Sequence, residues 1–208
     1  DYLEATASEI AGETSQRIVP ITADTSNDES VSAMVRRGME SLGRIDILVN
    51  CAAKAGGQGP VPTLQDITTE LLWYDVNVKV MGYLRCAREV APHMREQGFG
   101  RIINISGLAA RQSGSTIGSI RNVAVAALTK NLADELGPHG INVTVVHPGT
   151  TRTENTPGVL AAQAESQGIS TEEVEHRMAQ ANSVHRVITA GEVAYVVAFL
   201  ASPKSGAI

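Results

Sequence analysis

Apolar, β-branched runs alternate with stretches of helical period along most of the 208-residue chain. Residues 17–24 (RIVPITAD) read as a strand. Over residues 28–42, Val31, Met34, Val35, Met39 and Leu42 return to one face at helical spacing. Ser26 and Glu29 stand at capping-box spacing before that helix, and Gly43 stands where it must stop. Residues 45–50 (IDILVN) are short and almost wholly apolar, the pattern of a strand covered on both faces. The pattern then predicts a long helix over 68–97 and a strand over 100–106 (GRIINIS). A helix over 115–136, closed by Gly137-Pro138, and a strand over 141–147 (INVTVVH) follow. A last helix spans 191–201, with Thr189 and Glu192 as its capping box.

Strands alternating with helices predict one α/β domain built on a doubly wound parallel sheet. Ligands of such sheets bind beyond the carboxyl ends of the strands. Those ends fall at Asp24, at residues 50–53, at Ser106 and Gly107, and at residues 148–151, where small and polar side chains cluster. Residues 150–189 break the rhythm. They start Gly/Thr-rich and turn helical from Ser170, which has Glu173 at capping-box spacing. A connection of that length is expected to be a substrate lid. Its polar residues Gln163, Glu165, Ser166 and Gln167 argue against a large flat apolar substrate.

Composition narrows the function classes. Hydrophobic residues at 43% and charged residues at 19% describe a globular chain. A net charge of −5 and 3% aromatics offer neither a basic footprint nor a stacking platform for nucleic acid. No apolar run reaches the ~18 residues of a membrane span. Cys51 and Cys86 lie in apolar segments without a CxxC, so both are expected as small core residues in a reducing, cytoplasmic setting. His93, His139, His176 and His185 show no metal-ligand spacing. The chain opens at Asp1 inside a helical pattern, which leads us to expect a piece of a longer protein, truncated at both ends.

Five stretches in order carry a family likeness: ADTSND (23–28), IDILVNCAAKAG (45–56), DVNVKV (75–80), GRIINISG (100–107) and AALTKNLADELGPHGINVTVVHPGTTRT (126–153). Together they resemble the short-chain dehydrogenase/reductase family, over nearly the whole chain. The resemblance implies a Rossmann-like fold, NAD or NADP as cofactor, and hydride exchange with a small carbonyl or alcohol substrate. Position by position it implies Asp24 facing the adenine and Asn50, Cys51, Ala52 and Ala53 beneath the cofactor. Pro148, Gly149 and Thr151 would lie at the nicotinamide end, and Thr153 would reach the pyrophosphate. It also implies a homodimer or homotetramer formed through the helices over 68–97 and 115–136.

The departures matter as much. No GxxxGxG phosphate loop occurs, and GGQG at 56–59 has the wrong spacing. The family's catalytic set is Asn, Ser, Tyr and Lys. Here Asn77 matches the Asn, whereas Gly107 stands at the Ser position, with Ser106 just before it. Gly118 stands at the Tyr position and Asn122 at the Lys position. Hydride addition to a carbonyl leaves an alkoxide that needs a proton. A tyrosine of ordinary pKa ~10 supplies it only when a neighbouring cation lowers that value. With both absent, Ser106 and Arg121 are the candidates to meet the substrate oxygen, and Asn122 keeps the capacity to bond a ribose hydroxyl. Ser113, Ser115, Thr116, His147 and Tyr74 are weaker candidates. The same losses leave open an inactive dinucleotide-binding sensor or scaffold subunit, or an elimination or isomerisation on the same fold.

Overall fold

The computed structural model describes residues 2–53 and 61–208. Three parallel strands form its sheet. β2 (Gly100–Ile105) lies in the middle, between β1 (Ile47–Asn50) and β3 (Ile141–Val146). The register sets Asn50 beside Asn104 and Ile105 beside Val146, so the carboxyl ends of the strands finish close together. Alternation along β2 separates two faces. Ile102 joins Val143, Val90, Met94 and Leu136 in the main core. These come from β3, α4 (Gly82–Gln97) and α5 (Thr116–Leu136), and α2 (Asp28–Leu42) adds Val35. Arg101 faces the other way, bonding Asn142, which in turn donates to the carbonyls of Ser205 and Ile208 just beyond α8 (Ala190–Ala201). The result is the helix–sheet–helix layering of an α/β Rossmann-like domain. A further helix, α1 (Tyr2–Thr14), opens the described chain.

Local chemistry fixes the element ends. Asn27, rather than Ser26, caps α2: its Oδ1 accepts from the Ser30 N–H at 2.8 Å, while the Ser26 hydroxyl is spent on Asp24. Gly43 ends α2 at φ 79, a left-handed conformation that costs glycine little. Ser115 caps α5, and Thr189 and Glu192 bond reciprocally at the start of α8, as their spacing predicts. Ser170 caps α7 (Thr171–Gln180).

Three expectations change. Residues 17–24 carry strand-like residues but have no ladder partner among the described residues, and a strand exists only through its ladder. The long helix over 68–97 is three pieces. α3 (Thr69–Asp75) runs into a π-helical turn (Val76–Met81) and then into α4. Cys86 is buried as expected, but Cys51 is exposed, because β1 ends one residue before it and the backbone leaves the core. The GGQG stretch at 56–59 lies outside the described residues.

Residues 150–189 form two helices on a small base. β4 (Thr151–Arg152) pairs in parallel with β5 (Ile188–Thr189). Between them α6 (Thr156–Gln167) packs on α7 through Leu160, Ala164 and Val174. The polar residues Gln163, Glu165, Ser166 and Gln167 lie on or beside α6.

Candidate active site

The site is built on a buried polar chain that locks the strand ends to α5. Asn50 Nδ2 donates to Asn104 Oδ1 at 2.9 Å, and Asn104 Nδ2 donates to Thr129 Oγ1 at 2.9 Å. Thr129 donates in turn to the Val125 carbonyl at 2.7 Å. Neutral side chains that satisfy one another are rigid and cost little to bury. Beyond Asn50, the small residues Cys51, Ala52 and Ala53 are exposed, which leaves the backbone of this strand end open to a ligand.

A second set of bonds fastens the loop after residue 23. The Asp24 carboxylate accepts from the Ser26 N–H and hydroxyl, bonds that hold it below the ordinary carboxylate range. Thr25 Oγ1 donates to the Val78 carbonyl. Arg85 spans the gap between loop and π turn. Its guanidinium donates to Asp28, to the Thr25 carbonyl, and to both the carbonyl and side-chain oxygen of Asn77. Asn77 therefore faces this loop and lies outside the group described next.

That group lies between the π turn and α5. Asp75 and Lys79 are one helical turn apart, a spacing that puts both on one face, and both are buried. Across from them, Arg121 pairs with Asp75. Lys79 Nζ donates to Asn122 Oδ1 at 2.8 Å and to the Ser106 carbonyl at 2.9 Å. The Ser106 hydroxyl donates to the Asn122 carbonyl at 3.0 Å. Burial pushes the Lys79 ammonium down to about 8, with Arg121 adding to the effect and Cys51 and Asp75 opposing it. Tyr83 lies beneath, its ring 6.0 Å from Nζ. Its phenol donates to the Ile105 carbonyl, and burial raises it well above the usual tyrosine range.

The structure thus brings Ser106, Arg121 and Asn122 together and adds Lys79, which the sequence reading missed. The clue was its i+4 spacing from Asp75; the match of Asn77 to a family motif obscured it. Both proposed partners of a substrate oxygen are engaged elsewhere, Ser106 with backbone and Arg121 with a carboxylate. Gly107 lies beside Asn122, where an added Cβ would approach Nδ2 to 3.2 Å. Gly118 is buried in the first turn of α5, and its N–H donates to the capping Ser115 hydroxyl. Tyr74 is 56% exposed, and His147 Nδ1 is buried without a partner among the described residues.

On the far side, residues 148–153 are held by Asn182. Its Oδ1 accepts from the Thr150 N–H, and its Nδ2 donates to the carbonyls of Thr150 and Arg186. A Cβ at Gly149 would lie 2.2 Å from that Oδ1, so only glycine fits this close approach. Thr151 donates to the Gly149 carbonyl, and the Thr153 N–H donates to Thr156 Oγ1.

Comparison with known proteins agrees with this architecture. Residues 1–208 match the family model described as enoyl-(acyl carrier protein) reductase. The chain is 37% identical over 187 residues to the short-chain reductase protein NovJ of Streptomyces niveus, covering 89% of this chain and 68% of that one. An NAD+-bound xylitol dehydrogenase shares 25% identity at a TM-score of 0.86, with 99% of this chain and 80% of that one aligned. L-Sorbose reductase from Gluconobacter frateurii, complexed with NADPH and L-sorbose, shares 25% identity at a TM-score of 0.88, with coverages of 98% and 77%. This chain belongs to the short-chain dehydrogenase/reductase family.

Proposed function

We propose that the protein moves a hydride between a nicotinamide dinucleotide, NAD(H) or NADP(H), and a small carbonyl or alcohol substrate. The match over the whole chain to reductases of this family carries the reading. The described residues also fit a dinucleotide. The open run of Cys51, Ala52 and Ala53 lets a ligand reach backbone, and Asn122 Nδ2 has no acceptor among the described residues. In this reading Asp24 receives the adenine amine and residues 50–53 pass beneath the cofactor. Asn122 Nδ2 bonds a ribose hydroxyl, Pro148, Gly149 and Thr151 border the nicotinamide, and Thr153 reaches the pyrophosphate. When bound, the dinucleotide supplies or accepts the hydride. The chain's own part is to orient it and exclude water, with α6 and α7 as the cover over the substrate.

Titration calorimetry with NADPH and NADH, followed by nicotinamide absorbance in the presence of small ketones and diketones, tests the reading. We expect one dinucleotide to bind one to one and to be consumed with at least one carbonyl. Absence of binding by both would overturn it.

A further inference from the structure

Lys79 sits in a setting that a purely structural lysine does not need. Its ammonium bonds two neutral oxygens, those of Ser106 and Asn122. The one adjacent carboxylate, Asp75, is paired with Arg121. Burying a cation against neutral acceptors is costly, and a neutral amide could make the same two bonds without that cost. An ammonium has three donors. Two are used, and the third has no acceptor among the described residues. The residue lies at the carboxyl end of the sheet, where ligands of this fold bind. Gly107 places no side chain against the Asn122 amide that Lys79 holds.

We propose that Lys79 is the proton donor of this site and that its third ammonium hydrogen goes to the oxygen of a carbonyl substrate. The proposal rests on the hydride-transfer reading above. In reduction, a hydride adds to the carbonyl carbon and the C=O π pair moves to oxygen. That oxygen takes the proton as an N–H bond of Lys79 breaks. The lone pair left on Nζ then recovers a proton from water. In oxidation the neutral amine takes the alcohol proton instead. The groups facing Lys79 are Asp75 on its own turn, Arg121 and Asn122 on α5, Cys51 after β1, and the Tyr83 ring. Burial and the Arg121 charge bring the amine down to about 8, closer to working pH than a free lysine, which suits a general acid.

The protein has four lysines, Lys54, Lys79, Lys130 and Lys204, so labelling their ε carbons with carbon-13 gives a spectrum that can be assigned by substitution. Titration by NMR should show one lysine changing charge near pH 8, absent from K79M and from K79Q. In parallel, both variants should bind NADPH within about threefold of wild type. They should lose roughly 10²-fold or more in NADPH oxidation with 2,3-butanedione, the scale of a missing general acid. K79R should keep the charge but move the alkaline limb of the rate profile upward. Lys79 titrating with the other lysines would overturn the proposal, and so would K79M or K79Q turning over at the wild-type rate. Failure of the wild type to bind either dinucleotide instead overturns the hydride-transfer reading, and the NMR titration still judges Lys79 on its own.

Discussion

At the scale of single residues, charge placement dominates. Free lysine titrates at 10.5, and Lys79 in the fold at about 8. Between those values the unfolded chain holds more protons on this residue than the folded one, so folding stability should rise with pH across that window. Below pH 8 both states are charged and the burial penalty is at its full value. Chemical denaturation at several pH values should show the rise in wild type and a flatter profile in K79M. Asn182 makes the opposite kind of contribution. It makes three bonds from a buried position, and N182A leaves the Thr150 N–H without its partner and the Thr150 carbonyl with the Ile188 N–H as its one remaining donor among the described residues. We expect a loss of about 1–3 kcal/mol, read from the denaturant midpoint. Neither residue was legible as functional in the sequence. Asn182 works through a partner 32 positions away, and Lys79 stands two residues from an asparagine that fits a motif better.

Among the elements, the π turn sets which residue of this stretch faces α5. A π turn inserts its extra residue into the helix and is found preferentially at functional sites. Here Lys79 faces α5 and Asn77 faces the loop over 24–28. Hydrophobic periodicity predicts one uninterrupted helix over 68–97, because a turn of five and a turn of four bury almost the same apolar face. The caps at Ser170 and Thr189 were legible, since capping depends on residues three apart in sequence. Arg85 is where this element couples to the ligand side. With four donor contacts to Asp28, Thr25 and Asn77 it holds the loop that carries Asp24. R85A should weaken NADPH or NADH binding by about tenfold or more, the equivalent of ~1.4 kcal/mol, with Lys79's titration unchanged. Calorimetry and the lysine NMR experiment read the two effects separately.

For the whole molecule, the parallel α/β architecture was legible because strand–helix alternation is a long-range pattern that single errors do not erase. The run over 17–24 was not: its β-branched residues describe a propensity, and pairing is decided by neighbours in space. α3 and α5 carry exposed Trp73, Tyr74, Ile120 and Val123. Large apolar side chains grouped on a surface mark association sites, and the family resemblance leads us to expect a homodimer or homotetramer through the stretches over 68–97 and 115–136, to which these residues belong. Sedimentation velocity should show an oligomer, with I120E combined with V123E shifting it toward monomer.

The pairing of β4 with β5 has a consequence for how such a protein changes over evolutionary time. The chain leaves the main fold and returns to it at neighbouring points, clasped by the Ile188 N–H on the Thr150 carbonyl and by Asn182. Between those points α6 and α7 pack on each other through Leu160, Ala164 and Val174, and Gln112 of the main fold adds one bond to the Ala181 carbonyl. Closing a loop whose ends are already joined costs little more when the loop lengthens. The excursion is therefore a replaceable cassette. With α6 and α7 as the substrate cover proposed above, it can be lengthened, shortened or exchanged to suit a new substrate while the sheet, its polar chain and Lys79 stay as they are.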